Sequence, residues 1–305
     1  MIISKKPTEF GLSILVIFSG YLFLNPPSLL FKILQSAAFQ YMAGNFVLGL
    51  FLLIKGRKIL STSFFICFTS LAFMIGTSTT QLSSGSHSMA NLKVAHFNVL
   101  YNNHRHSNIL DEVWRTNADL LSFQEVSEEW SEVLIRELSH HYPYYRVAGS
   151  NTYFGLAVFS KTPFNNIRVD SSARHPIVIG EIEVDNQAVN FLCAHTTSPI
   201  TRRSYLERNQ ELELISDSIH ELGNPVLLIG DLNSVPWDKN LRRIIKHNKL
   251  KDSRRFYSST FPRILGFFGI PIDYILYSNN ISCTKFETLS SSSSDHKGIY
   301  GEYAI

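Results

Sequence analysis

Three long apolar runs crowded into the first quarter of this 305-residue chain limit its possible folds more than any other feature. They occupy residues 7–24, 37–54 and 59–75, which is 18, 18 and 17 residues. A helix needs about 20 residues to cross the hydrocarbon core of a bilayer. Glu9 is the one acid among them, and the second and third runs hold no charged side chain. Buried helices of a globular core are the plainer alternative, but three in succession argue against it. A cleaved signal peptide would explain only the first run; no small-residue cleavage site follows it, and Pro26-Pro27 fits such a peptide poorly. The expectation is three transmembrane helices, with the lipid bilayer as a partner through these residues.

Lysines and arginines set the expected orientation. Lys5 and Lys6 precede the first run, Lys55, Arg57 and Lys58 fill the turn between the second and third, and Lys32 stands alone in the other loop. By the positive-inside rule the amino terminus is cytoplasmic. Three crossings then predict a multi-pass inner-membrane protein whose remaining residues lie outside the cytoplasm. Residues 77–90, rich in Ser and Thr, read as a flexible linker between a 1–76 anchor and a 91–305 soluble domain. Removing six basic residues and one acid of segment 1–90 from the totals of 28 and 25 leaves 22 and 24, a soluble domain near −2. A strongly basic, non-specific nucleic-acid face is therefore not expected. Cys67, Cys193 and Cys283 read as buried free thiols, although an oxidising compartment would let two of them pair.

From Asn91 onward short apolar runs alternate with polar turns. Strands are expected at residues 92–98, 119–123, 155–160, 177–183, 188–194, 226–229, 272–277 and 298–303. Helical spacing places Ile109, Val113 and Trp114 on one face, then Trp130, Leu134 and Leu138, then Leu212, Ile215, Ile219 and Leu222. Gly223-Asn224-Pro225 reads as the stop of the last of these helices. The pattern suggests an α/β domain of two packed sheets flanked by helices.

Polar residues recur at the ends of these strands: Asn98, Gln124-Glu125, His195, Asp231 with Asn233, Asp273, and Asp295-His296. Taken singly, each can be a strand-end cap, a turn former or a satisfied core histidine. As a set they hold an acid suited to a hard cation, two histidines, three further carboxylates and three amides, which is what metal-assisted phosphodiester hydrolysis requires.

The ordered blocks Phe97-Asn98-Val99, Gln124-Glu125-Val126, Ala194-His195-Thr196, Gly230-Asp231-Leu232-Asn233, Ile272-Asp273-Tyr274 and Ser294-Asp295-His296 resemble the endonuclease/exonuclease/phosphatase superfamily over residues 92–304. The amino terminus looks like that of a bacterial membrane-anchored branch. The resemblance implies a four-layer α-β-β-α sandwich of two mixed sheets, here preceded by the three transmembrane helices. It implies Glu125 as main ligand of Mg²⁺ or Mn²⁺, with Asn98 and Asp295 completing or flanking that site. His296 would be the general base, with Asp273 accepting its other ring proton. Asp231 would orient or deprotonate the attacking water, and Asn233 and His195 would bind the non-bridging phosphate oxygens. Some nuclease members carry an acid where this chain has Leu100, so a one-metal site is favoured. Ser160-Lys161 closes a block read as structural, in which Tyr153 is a candidate substrate contact.

The implied activity is a metal-dependent phosphodiester hydrolase, with the resemblance leaning towards a nuclease. A phospholipid, sphingomyelinase-like or inositol-phosphate esterase is the alternative, and a catalytically inactive membrane-bound scaffold a third; no protein partner is inferred. A nuclease would draw its groove from Arg202, Arg203, Arg208, Arg242, Arg243, Lys246, Arg254 and Arg255, although Glu207, Glu211 and Glu213 interleave them. A lipid esterase would use apolar mouth residues, for which residues 261–270 are the candidate. That run reads as a core strand and turn in preference to a membrane-facing lid.

Overall fold

The computed structural model describes residues 7–24, 29–78, 89–151, 153–223, 225–290 and 293–305. They fall into two units, one of residues 1–78 with Pro236–Lys239 and the other of the remainder. Most of the expected linker, Asn25-Pro26-Pro27 and Asn224 lie outside the described residues.

The first unit corrects the expectation of three spans. Its helices are α1 (Pro7–Phe23), α2 (Leu29–Ser36), α3 (Ala38–Ile54) and α4 (Lys58–Gly76). Among the described residues only α4, at 19 residues, is long and apolar enough by itself to cross a membrane. The 17 residues of α1 would cover about 25 Å of the roughly 30 Å core. The equally short α3 reaches spanning length only with α2, across a 67° bend. Polar side chains tie these helices from within: Asn45 donates to Ser19 Oγ at 3.0 Å and Ser61 to the Gly49 carbonyl at 2.8 Å. Ile17, Val47, Ile59 and Phe73, by contrast, are exposed. This unit is inverted relative to a water-soluble bundle, with polar contacts inside and apolar side chains outside.

The second unit begins with β1 (Leu92–Asn98), α5 (His106–Thr116), β2 (Leu120–Gln124), α6 (Glu128–Leu138), β3 (Tyr144–Ala148) and β4 (Leu156–Ser160). It continues with β5 (Phe164–Asp170), β6 (Ile177–Val184), β7 (Gln187–Ala194), α7 (Arg202–Leu222), β8 (Val226–Asp231), α8 (Lys239–His247) and β9 (Leu250–Asp252). It closes with β10 (Asp273–Ser278), β11 (Ser282–Leu289) and β12 (Gly298–Ala304). One six-stranded sheet runs β11-β12-β1-β2-β4-β3 and the other β5-β6-β7-β8-β10-β9. The β1–β2 and β7–β8 pairs are parallel, each joined by a crossover containing a helix, and the other pairs are antiparallel.

Three apolar layers make this a four-layer α-β-β-α sandwich. Val94, Val158, Phe191, Ile229 and Ile275 pack between the sheets. Phe97, Phe123 and Phe159 turn the other way, onto Ile109, Val113, Trp130 and Leu134 of α5 and α6. Ile179, Leu228 and Leu276 meet Leu212, Ile215 and Ile219 of α7. Trp114, expected beside Ile109 and Val113, is exposed instead. The capping box of Thr201 and Ser204 starts α7, and Gly223, at φ +70°, ends it with its N–H on the Ile219 carbonyl. Cys67, Cys193 and Cys283 are buried free thiols.

Because side chains alternate along a strand, the inter-sheet faces can be read in steps of two. They run Leu92-Val94-His96-Asn98 on β1, Leu120-Ser122-Gln124 on β2, Val189-Phe191-Cys193-His195 through the end of β7, and Leu227-Ile229-Asp231 on β8. Each is apolar at its start and polar at its carboxyl end. On β10 the order reverses to Asp273-Ile275-Tyr277, because that strand runs antiparallel to β8 and sets Asp273 opposite Asp231. One slab between the sheets thus changes from core to polar site along its length.

Candidate active site

At the polar end, Asp231 is the hub. Its Oδ1 accepts the Asn233 N–H at 2.8 Å. Its Oδ2 lies 3.7 Å from His195 Nε2 and 3.8 Å from His296 Nε2. His296 Nδ1 is 2.9 Å from Asp273 Oδ2, whose other oxygen is 3.3 Å from His96 Nε2. The Asn233 amide, 3.4 Å from His195 Nε2, donates to the Thr196 carbonyl at 2.7 Å. The five expected catalytic residues, His195, Asp231, Asn233, Asp273 and His296, converge here. Asn233, at φ +44°, and Glu125, at φ +57°, are held in the left-handed region, a strained backbone that tends to cluster at functional sites.

Burial and charge drive the two histidines apart. Burial, aided by the charge of His296, pushes His195 down to about 3, so it is neutral near pH 7. Burial opposes charge on His296 too, but Asp273, through its charge and hydrogen bond, then Asp231 and Asp295, raise it to about 10. Burial alone would raise Asp273, yet its two histidine partners hold it below the usual carboxylate range. Burial and then the neighbouring Asp273 charge lift Asp231 well above that range. Oppositely displaced groups of this kind are how a site separates proton-holding from proton-accepting roles. The two groups expected to handle the proton of the attacking water, His296 and Asp231, thus stand side by side, with His296 Nε2 3.8 Å from Asp231 Oδ2.

Asn98, Glu125 and Asp295 form the neighbouring edge. Asn98 Nδ2 donates to Glu125 Oε1 at 2.9 Å, and the Tyr101 N–H donates to Oε2 at 3.2 Å. Asp295 Oδ1 is buried without a hydrogen-bond partner. Burial raises the Asp295 carboxyl; His296 works against this, and the Glu125 charge adds to it. Two mutually repelling carboxylates, one of them with an orphaned buried oxygen, and an amide oxygen are a donor set for a hard divalent cation, so these residues fit Mg²⁺ or Mn²⁺. Ligand atoms of Asp231, Asp273 and His296 also lie within 4.8 Å of one another. There the Asp273–His296 ion pair accounts for the closeness without a cation. Leu100 adds no ligand; its N–H, at φ +62°, donates to Asn98 Oδ1.

Of two supporting residues, His96 was not singled out in the sequence and Gln124 was named there beside Glu125 without a role; both obey the alternation rule. His96 lies two before Asn98 on the same face. Gln124, fully buried in β2, crosses to the other sheet. Its amide donates to the Ala194 carbonyl at 2.5 Å, and its oxygen accepts the Asp231 N–H at 2.8 Å. Gln124→Leu should cost about 2–4 kcal/mol of stability, because it strands both buried partners. It should also lower turnover more than an equally destabilising core change far from the site. Thermal melts and kinetics run together test this, and loss of stability without excess loss of turnover would reduce Gln124 to a structural tie.

At the rim, Tyr153 is exposed and its ring lies 4.3 Å from that of Tyr101. Several expected groove cations are engaged elsewhere. Arg208 and Arg254 are buried, the latter paired with Asp252 and set over the Tyr274 ring. Arg203 pairs with Glu207 and Arg243 with Glu213. Burial withdraws Arg208 and Arg254 from a nucleic-acid groove, while Arg203 and Arg243 stay exposed in their surface pairs.

Residues 95–296 match the sequence profile of the Endonuclease/Exonuclease/phosphatase family. A putative neutral sphingomyelinase of Caenorhabditis elegans is 29% identical over 171 residues, which take in 48% of this chain and 38% of that relative. Among solved structures, Danio rerio (D. rerio) TDP2 complexed with a single strand DNA product superposes with a TM-score of 0.60 at 15% identity, covering 70% of this chain and 99% of that one. The mannosyl-6-phosphatase of Bacteroides thetaiotaomicron gives 0.57 at 17% identity, covering 70% and 100%. At these identities the structural likeness speaks for the fold.

Proposed function

This chain belongs to the Endonuclease/Exonuclease/phosphatase family, hydrolases of phosphate esters, and on that premise we propose that it is a membrane-anchored, divalent-metal-dependent phosphodiester hydrolase. The observation that carries the reading is Asp231 Oδ2, set 3.7 Å and 3.8 Å from two imidazole nitrogens beside the Glu125–Asp295 edge. Asp231 orients a water for in-line attack and takes its proton. Neutral His195 and the Asn233 amide donate to non-bridging phosphate oxygens as their negative charge grows. His296, kept charged by Asp273, adds a positive donor on the facing side. Asn98, Glu125 and Asp295 would hold the divalent cation, which when bound supplies further positive charge to the phosphate.

Anchoring is supported by the length of α4 and the exposed apolar faces of its unit. The Lys and Arg distribution favours a catalytic unit outside the cytoplasm. A reporter fused after residue 88 should then be active only outside; activity confined to the cytoplasm would reverse the placement. Full-length protein should hydrolyse a bis-aryl phosphodiester with Mg²⁺ and not with EDTA. Mg²⁺ should also raise its melting temperature. Glu125→Ala should remove both effects, with turnover falling about a thousandfold. Folded wild-type protein without metal-dependent turnover would point to the inactive scaffold.

A further inference from the structure

Residues 261–270, expected as a core strand and turn, form no strand and no part of the core. Phe261 and Ile270 make an isolated bridge, and residues Arg263–Phe268 between them coil into a 3-10 turn with no buried residue. Ile264 is 88% exposed, Phe267 59%, Phe268 53% and Leu265 52%, with Phe256 beside them at 78%. Five large apolar side chains thus reach water within thirteen residues, a density that in soluble proteins marks an interaction surface.

The turn is braced from below. The Arg263 N–H and Nε donate to the Asp295 and Ser294 carbonyls at 2.6 and 2.8 Å, and Lys297 Nζ and Ser259 Oγ both donate to the Gly266 carbonyl, at 2.9 and 2.5 Å. The Phe261 ring lies 4.7 Å from the His296 ring. Whatever covers the apolar tip is therefore coupled through short backbone contacts to the segment carrying Asp295 and His296.

We propose that residues 256–268 are a membrane-docking surface that lays the catalytic mouth on a phospholipid bilayer, and that the phosphodiester it receives belongs to a lipid headgroup. The proposal deepens the hydrolase reading and rests on it. Three observations select lipid over other occupants. Residues 254–271 contain Arg254, Arg255 and Arg263 and no acid; of these Arg255 is exposed, a sign that suits anionic headgroups. The exposed tip is aliphatic and aromatic, the chemistry that enters the headgroup–acyl boundary. Helix α4 ends fifteen residues before β1, so even a fully extended chain would keep β1 within about 50 Å of that helix. Any membrane holding α4 is then within reach of the catalytic unit.

The test uses full-length protein in phosphatidylcholine–phosphatidylglycerol nanodiscs. Because the three native thiols are buried, Ile264→Cys can carry an environment-sensitive fluorophore, with exposed Glu183→Cys as control. Lipids brominated near the top of the acyl chain should quench the label at 264 at least about threefold more than the control. Equal quenching overturns docking. Quenching that appears only with two proteins per disc would assign the tip to a second copy and also overturn it. The combined Ile264→Ser, Phe267→Ser and Phe268→Ser variant should lose about tenfold in turnover of disc phospholipid and keep wild-type turnover of the soluble bis-aryl diester. Loss on both substrates, or on neither, refutes the docking role. Wild-type protein that cleaves the soluble diester but no disc lipid refutes the lipid substrate. Protein that cleaves neither refutes the hydrolase reading, and the quenching experiment still decides docking.

Discussion

Asp231→Asn should reduce phosphodiester turnover about a thousandfold or more and at the same time raise the melting temperature by a few degrees. The turnover loss follows from its position at the hub between two imidazoles, where an amide keeps the shape and the bond from Asn233 but accepts no proton. The stability gain follows from linkage. A carboxyl whose folded-state pKa lies above its unfolded value loses stability as it ionises, so the folded protein bears a cost near neutral pH that the amide removes. Burial first, then the charge of Asp273 directly opposite, sets that direction at Asp231. A structural residue would not give opposite signs in the two measurements. Turnover within tenfold of wild type, or a lowered melting temperature, would refute the assignment.

Gly230→Ala should be a severely damaging single-methyl change in the catalytic unit. Gly230 sits at φ +143°, and a Cβ there would lie 2.1 Å from both the Ala194 carbonyl and the Gln124 amide nitrogen. Those are the two partners of the hydrogen bond by which Gln124 crosses between the sheets. The methyl group therefore meets backbone on one side and a pinned side chain on the other, in a conformation that disfavours any Cβ. We expect a loss of about 3–5 kcal/mol, roughly 10 °C of melting temperature, with turnover lost as well. Gly223, at φ +70° with nothing within 4 Å of a built Cβ, isolates the backbone cost alone and should lose about 1–3 kcal/mol as alanine. Equal melting temperatures for the two variants would show that the overlap at Gly230 relaxes without cost.

What the sequence concealed follows a physical rule. Of the twelve strands, the four it did not disclose are β3, β5, β9 and β11, and these are the four sheet edges. An edge strand is half solvated, so residues such as Tyr144-Tyr145-Arg146 and Asn165-Asn166 carry no apolar alternation to read. The helix α8, Lys-Asn-Leu-Arg-Arg-Ile-Ile-Lys-His, buries only Leu241 and Ile244 and was masked by its charge. The central strands, buried on both sides, were legible, and with them every polar residue at their ends. Alternation would also have pointed to His96, and to the inward course of Gln124, had it been followed past the apolar core. The apolar run at 261–270 misled because hydrophobicity specifies removal from water, not which apolar medium receives the side chain. In the first unit, composition marked apolar segments faithfully but could not register the 67° break between α2 and α3.

The pairing of β1 with β12 sets a schedule as well as a shape. Leu92 opens the catalytic unit and lies opposite Tyr303, two residues from the end of the chain. Asp295 and His296 come just before that last strand. A nascent chain from which residues 294–305 have not yet emerged has neither the strand that flanks β1 nor the imidazole that faces Asp231. Every strand of the second sheet must emerge before the first sheet can close, and the long loop this closure demands makes it a late event in folding. If the unit crosses a membrane as it is made, it is catalytically silent until residues 294–305 have followed, and competence begins only on the side where they arrive.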